Sequence, residues 1–242
     1  MICPKNVLHS PDFYMKRIRL LHIEFDTEIE AGEIPAFRSA IIEKVGRENI
    51  LFHNHLKNDG FLYKYPLIQY KRIGRRPAII CIDFGVDEIH KFFENRNWDI
   101  KVNNRWLEMK IAKLNLNQFV MQVWDRPFDY VIRNWIALNQ DNYQKYMDLE
   151  VITDKVHFLE KTLTGNILSF AKGIEWNVDR QIELTIKDIR PVSQINLKGK
   201  WLAGFNVEFA SNVFLPNYIG LGKAVSKGLG VVYTLKKSDT NN

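Results

Sequence analysis

The chain has 242 residues, of which 46% are hydrophobic and 26% are charged, a composition typical of a folded protein with a substantial core. Its 15 Phe, 9 Tyr and 6 Trp residues exclude a disordered chain, and its two cysteines are too few for a disulfide framework or a zinc ribbon. The sequence has no apolar leader segment and no apolar run of about 18 residues, which predicts a cytoplasmic protein that does not contact a membrane.

The net charge of +6 is unevenly distributed along the chain. Residues 53–76 contain six Lys or Arg residues against one Asp, and residues 180–237 contain nine against three acidic residues. Between them, residues 125–179 carry nine acidic and six basic side chains. Two separate basic segments favour an anionic partner such as a nucleic acid.

The first half of the chain predicts alternating strands and helices. Alternating apolar residues indicate strands at 16–26, 65–73 and 78–84 and extended structure over 106–124, while helical spacing indicates helices at 34–46 and 86–95. The order strand, helix, strand, strand, helix, strand is that of a ferredoxin-like unit, an antiparallel sheet with two helices on one face. We expect the other face of this sheet to be open.

The second half predicts a helical layer followed by a sheet. Two helical patterns cover residues 128–149 and 153–172, and extended patterns cover 181–189, 192–197, 200–210 and 231–236. We place a domain boundary between residues 124 and 125, giving domains 1–124 and 125–242. Both halves are therefore predicted to be α+β.

The glycine-rich segment, residues 220–230, is the most distinctive stretch of the chain. It reads Gly-Leu-Gly-Lys-Ala-Val-Ser-Lys-Gly-Leu-Gly, and glycines let backbone N–H groups approach an anion closely. It is neither a Walker A loop nor a dinucleotide-binding turn, because it lacks the Lys-Ser/Thr ending and precedes a strand rather than a helix. The predicted RNA-binding residues here are Gly220, Gly222, Lys223, Ser226, Lys227, Gly228 and Gly230; the alternative is a surface hairpin without a ligand.

Two motifs together resemble those of a known family. The glycine-rich segment before a last strand, and the stretch Leu51-Phe52-His53-Asn54-His55 followed by Tyr63-Lys64-Tyr65-Pro66-Leu67-Ile68-Gln69-Tyr70-Lys71, resemble the endoribonucleases that process CRISPR repeat RNA. Because one motif lies in each half, the resemblance spans nearly the whole chain. It implies two ferredoxin-like, RNA-recognition-like domains in tandem, the C-terminal one with an added helical layer.

The resemblance also implies an activity and a partner. The activity is a cut within each CRISPR repeat of a precursor transcript, which releases guide RNAs without a metal ion or other cofactor. The partner is CRISPR repeat RNA, and the resemblance leaves open whether other effector subunits or a second copy of the chain also bind. A non-cleaving RNA-binding scaffold of an effector complex is the alternative function, and an unrelated phosphate-binding enzyme is a more distant one.

His53 and His55 are the predicted catalytic pair. In an extended loop, residues two apart point to the same side with Cα atoms about 6.5–7 Å apart, so both rings would reach one phosphodiester. Histidine titrates near neutrality, so one ring can accept the proton of a ribose 2′-hydroxyl while the other protonates the leaving 5′-oxygen. The sequence does not say which ring is the base, and a structural role for either histidine is the alternative.

Basic residues around this pair complete the predicted site. Lys71 is predicted to be catalytic by stabilising the charge of the transition state. The predicted RNA-binding residues of this region are Lys64, Arg72, Arg75 and Arg76, although a solvated surface is the simpler explanation for each of them. His22 is a reserve catalytic candidate. No metal ligands are assigned, because the contiguous His-Asn-His lacks the neighbouring ligands that a nuclease metal site needs.

Overall fold

The computed structural model describes residues 15–53, 65–197 and 199–235. The first half contains β1 (Lys16–Phe25), α1 (Ile34–Val45), β2 (Ile68–Ile73), β3 (Arg76–Ile82), α2 (Phe84–Glu88), α3 (His90–Phe93), β4 (Ile100–Val102), β5 (Arg105–Leu107) and β6 (Ile111–Met121). The second half contains β7 (Val123–Trp135), α4 (Gln140–Asp148), α5 (Ile152–Gly173), β8 (Leu184–Leu197), β9 (Lys200–Val213) and β10 (Val231–Thr234). Within these ranges, none of the helices combines the length and the apolar character that a membrane crossing requires.

The first half is built on a four-stranded antiparallel sheet in the order β2–β3–β1–β6. Side chains of β1 alternate between its two faces, and Leu21, Ile23 and Phe25 join the buried side of α1 in one apolar cluster. Pro35 opens α1 and Gly46 ends it, as the sequence predicts. With β4 and β5 set apart as a small hairpin, this sheet order is that of a ferredoxin-like unit.

The second half repeats this arrangement, with the helix α4 added before α5 and without a second connecting helix. Its sheet has the order β10–β7–β9–β8, and α5 covers it with buried side chains spaced at helical intervals. Where a second helix would connect the third and fourth strands, the glycine-rich segment runs instead. The predicted fold class, α+β with two ferredoxin-like domains in tandem, is confirmed, whereas the boundary between residues 124 and 125 stays a prediction.

Four predicted elements of the chain differ from the structure. Residues 128–135, predicted as helix, belong to β7, which pairs with β9 and β10. The predicted helix at 86–95 is divided into the short α2 and α3. The strands predicted at 181–189 and 192–197 form the single strand β8, whose pairing with β9 shifts between Val192 and Ile195.

The predicted open face of the first sheet is largely covered. Ile18 and Leu20 of β1 and Ile80 and Ile82 of β3 are buried in the same apolar cluster as the core of the second half. Burial of apolar surface between this face and the second half therefore holds the two halves together. The expectation of an open face was wrong because the surface that covers it comes from a distant part of the chain.

Two glycines of α5 test this packing. An added Cβ at Gly165 meets no atom within 4 Å, whereas an added Cβ at Gly173 would lie 2.4 Å from Cβ of Tyr65 in the first half. We expect Gly165→Ala to raise the free energy of unfolding by about 0.5–1 kcal/mol through helix propensity. We expect Gly173→Ala, the matched variant, to lower it. Urea unfolding of both variants measures the difference, and equal stabilisation would contradict the contact between α5 and Tyr65.

Candidate functional site

Side chains of the strand β2 region hold the glycine-rich segment against the first half. The Tyr65 hydroxyl donates a hydrogen bond to the carbonyl oxygen of Gly220 at 2.8 Å, and the Gln69 side-chain oxygen accepts one from the Gly220 N–H at 2.9 Å. Nζ of Lys71 donates to the carbonyl oxygen of Val225 at 2.9 Å. These three bonds fix the position of the glycine-rich segment relative to β2.

The glycine positions in this segment are structural requirements. Gly222 has a φ of +90°, and an added Cβ would lie 2.7 Å from the ring of Trp135. At Gly230, with a φ of +61°, an added Cβ would lie 1.9 Å from the carbonyl oxygen of Leu221. Both positions therefore exclude larger residues. Lys223 is exposed on this scaffold, and Ser226 and Lys227 are partly buried.

Lys71 differs most from its predicted role. Its side chain is fully buried, and burial lowers the pKa of its ammonium group to about 7 because low-dielectric surroundings disfavour the charged form. In this arrangement Nζ has no access to a phosphodiester. The structure thus favours a role in positioning the glycine-rich segment over direct contact with the RNA.

His53 lies at the end of a single 3₁₀ turn, Ile50–Phe52. Its Nε2 is 2.7 Å from the carbonyl oxygen of Arg47, and since a carbonyl only accepts, this nitrogen carries a proton here. The Arg38 guanidinium of α1 donates to the carbonyl oxygen of His53 at 2.8 Å. Burial lowers the pKa of Arg38, which marks its guanidinium as a group held within the protein rather than in solvent.

Tyr70 connects His53 with the glycine-rich segment. Its backbone pairs in parallel with Lys227, and an added Cβ at Gly228 would lie 3.5 Å from the carbonyl oxygen of Tyr70. Its hydroxyl donates to the carbonyl oxygen of Phe52 at 3.2 Å, next to His53. The structure therefore brings His53 and the glycine-rich segment to opposite ends of one buried side chain.

The remaining predicted residues have different surroundings. His55 and Lys64 lie outside the described residues. Arg75 pairs with Glu28 at 2.8 Å and Arg76 with Asp26 at 3.1 Å, both on the exposed edge of the first sheet. Nε of Arg72 donates to the carbonyl oxygen of Ile29 at 2.6 Å. An RNA phosphate at this edge would have to replace these partners, so RNA contact by the three arginines stays a prediction.

His22 is buried rather than on an open surface. Its ring centroid is 5.0 Å from that of Tyr218, and its Nε2 is 2.9 Å from Oε1 of Glu24. Burial lowers the pKa of His22, with a smaller contribution from Lys113, while Glu24 opposes the shift. The ring packs between the two halves, as expected of a structural histidine.

Three residues that the sequence analysis did not single out organise this site. Gln69 shares a face of β2 with Lys71, so the alternating pattern does not distinguish its buried hydrogen-bonding role from that of a solvated side chain. Arg38 lies on α1, where polar and apolar residues are mixed, and the neighbouring residues do not distinguish it from a solvent-exposed arginine. Tyr70 belongs to the motif quoted for the family resemblance, but its role depends on contacts with Phe52 and Lys227 that the sequence does not show.

The burial of Lys71 predicts a dependence of stability on pH. The pKa of Lys71 in the folded protein, about 7, lies below the pKa of an exposed lysine in the unfolded chain. At pH values between these two pKa values, the unfolded state binds more protons than the folded state. The free energy of unfolding therefore rises with pH above about 7. In the unmodified protein, we expect this effect to raise the free energy of unfolding by at most about 2–3 kcal/mol between pH 7 and pH 9. We expect Lys71→Met to lose this rise.

Urea unfolding at both pH values measures this slope. Lys101→Met, at an exposed lysine of β4, is the matched control and should leave the slope as in the unmodified protein. Identical slopes for all three proteins would contradict the assignment of a buried, largely neutral amine to Lys71.

Two family models match the chain in sequence order. Residues 16–120 match the Cas6b N-terminal domain and residues 122–235 match the Cas6b C-terminal domain. An uncharacterized protein of Methanocaldococcus jannaschii, MJ0978, is 38% identical over 106 residues, which are 44% of this chain and 71% of that protein. The two models together span nearly all of the described residues.

Solved structures have the same fold. A crystal structure of Cas6b is 27% identical with a TM-score of 0.79, covering 91% of this chain and 100% of the other. A CRISPR RNA processing endoribonuclease Cas6b is 24% identical with a TM-score of 0.69, and Csf5, a type IV Cas6 crRNA endonuclease, is 13% identical with a TM-score of 0.52, each with the same coverage. The resemblance on which the sequence analysis relied, to the enzymes that process CRISPR repeat RNA, is confirmed, and the chain belongs to the Cas6b family.

Proposed function

We propose that this protein cuts CRISPR repeat RNA in precursor transcripts by acid–base catalysis without a metal ion. The attacking group is the ribose 2′-hydroxyl next to the cut phosphodiester. The products are a 2′,3′-cyclic phosphate on one fragment and a 5′-hydroxyl on the other. His53 and His55 provide the base and the acid, and the glycine-rich segment holds the RNA backbone.

The observation that carries this proposal is the double contact of Tyr70. Its backbone pairs with Lys227 and its hydroxyl binds the carbonyl oxygen next to His53. A phosphodiester chain that lies along the glycine-rich segment therefore passes close to the turn that bears His53. The exposed ammonium of Lys223 favours the anionic strand there.

The chemistry needs two proton transfers at one phosphorus atom. A neutral imidazole takes the proton of the 2′-hydroxyl as its oxygen bonds to phosphorus, and a protonated imidazole gives a proton to the 5′-oxygen as its bond to phosphorus breaks. Arg38 holds the backbone of His53 through its carbonyl oxygen, so it is a positioning residue for this ring. Fixing the ring before the substrate arrives reduces the entropy cost of reaching the transition state.

Substitution of the two histidines tests the assignment. We expect His53→Ala and His55→Ala each to lower single-turnover cleavage of repeat RNA by about 100-fold or more, as for a lost acid or base. RNA affinity should change little, because neither ring is the main contact to the backbone. Rapid-quench kinetics and a fluorescence binding titration measure the two effects. His90→Ala, an exposed histidine of α3, is the control and should cut normally.

The reaction conditions separate this function from its alternative. Cleavage at one position in excess EDTA is expected, and loss of cleavage in EDTA would contradict a metal-independent mechanism. Tight binding of repeat RNA without cutting would instead indicate the non-cleaving scaffold. Normal cutting by the double histidine variant would remove both rings from the mechanism.

A further inference from the structure

A cavity of about 270 Å³ lies in the second half, where α4 faces the end of the β8–β9 hairpin. Its polar and aromatic lining comes from both elements and includes Asn139, Gln140 and Tyr143 on one side and Gln194, Lys200 and Trp201 on the other. This volume is just below the range of about 300–1,000 Å³ for pockets that take drug-sized molecules. It suits a single flat ring system rather than a longer ligand.

The aromatic side chains of this cavity are exposed to solvent. Trp201 is 63% exposed and Tyr143 is 42% exposed, so each offers a ring face to a ligand. Purine and pyrimidine bases stack on such faces irrespective of their sequence. An exposed tryptophan is not a site by itself, but here it borders a cavity with hydrogen-bonding groups.

Side-chain amides provide the polar contacts of the cavity. Oδ1 of Asn139 already accepts the N–H of Asn142 at 2.7 Å, which leaves its NH₂ group to donate to a ligand. Gln140 and Gln194 are exposed and offer both a donor and an acceptor. Amides of this kind pair with the edge of an unstacked base, and the Lys200 ammonium suits the attached phosphate.

One wall of the cavity is close in the fold to the glycine-rich segment. The N–H of Lys223 donates to the carbonyl oxygen of Ile136 at 3.3 Å, two residues before Leu138 in the cavity wall. The carboxylate of Asp141, next to the lining residue Gln140, interacts electrostatically with the Lys223 ammonium. A strand that contacts Lys223 would therefore lie beside this wall of the cavity.

We propose that this cavity is a nucleobase pocket, which binds one unpaired base of the RNA by stacking on Trp201 or Tyr143 and by hydrogen bonds to the side-chain amides. The pocket rests on the proposed function for its substrate, but it is a binding site and takes no part in the proton transfers. It anchors the RNA at a distance from the cut and adds to affinity.

Binding of modified repeat RNA tests the pocket. The probe is the full repeat with 2′-fluoro groups, which lack the attacking hydroxyl and cannot be cut, carrying a fluorophore at one end. We expect Trp201→Ala to weaken its binding by about 5- to 100-fold, the range for loss of one stacked base. Trp106→Ala is the matched control, because Trp106 is 71% exposed at the β4–β5 hairpin and lies outside the cavity. It should bind normally.

A scan with abasic nucleotides identifies the bound base. One abasic position should weaken binding to the unmodified protein by the same factor as Trp201→Ala and should add nothing further in that variant. Tyr143→Ala serves as a second variant if Trp201→Ala does not fold. Normal affinity of the folded variants, or additive losses at every abasic position, would overturn the pocket.

Cleavage of unmodified repeat RNA by the same variants separates the two proposals. Normal cutting at saturating protein, together with weaker binding, supports a pocket that acts on affinity alone. If the unmodified protein binds repeat RNA but does not cut it, the proposed cleavage is wrong. The abasic scan still tests whether the cavity binds a base, because it measures binding alone. A free mononucleotide that binds Trp201 as tightly as the RNA would overturn the assignment to a base within a strand.

Discussion

The hydrogen bonds between the β2 region and the glycine-rich segment are the constraint on which the candidate site depends. Tyr65, Gln69 and Lys71 contact Gly220 and Val225, which lie about 150 residues further along the chain. These bonds lie between two sheets that bury apolar residues against each other. They keep the glycine-rich segment beside β2, whose residue Tyr70 also contacts the turn that bears His53.

This arrangement also explains a difference between the two ferredoxin-like halves. In the first half, α2 and α3 lie between β3 and β6, whereas in the second half the glycine-rich segment takes the corresponding place between β9 and β10. The segment instead forms hydrogen bonds with other parts of the chain, as from the N–H of Gly230 to the carbonyl oxygen of Asn134 at 3.0 Å. It also approaches both Trp135 and Tyr70 closely.

Much of the fold could be predicted from the sequence, because β1, α1 and β9 have strong local patterns. Most of β7 was predicted as a helix, although Tyr130 and Ile132 are buried at the spacing of a strand. The polar residues between the apolar ones also fit a helix, and only the pairing with β9 distinguishes the strand from the helix. Of the site, the glycine-rich segment and His53 could be identified from their residue types. The burial of Lys71 could not, because an alternating strand pattern places it on a polar face, and the second half that covers this face is distant in sequence.

The contact of Lys71 with Val225 has a consequence for how the protein responds to ionic strength. A buried amine with a lowered pKa that is sealed from solvent is screened little by dissolved ions. Binding of an RNA backbone, in contrast, releases counterions and weakens steeply as the salt concentration rises. Concentrated salt should therefore detach the RNA while the junction between the two halves persists. The protein that remains would still hold its two halves in the arrangement that accepts the next transcript.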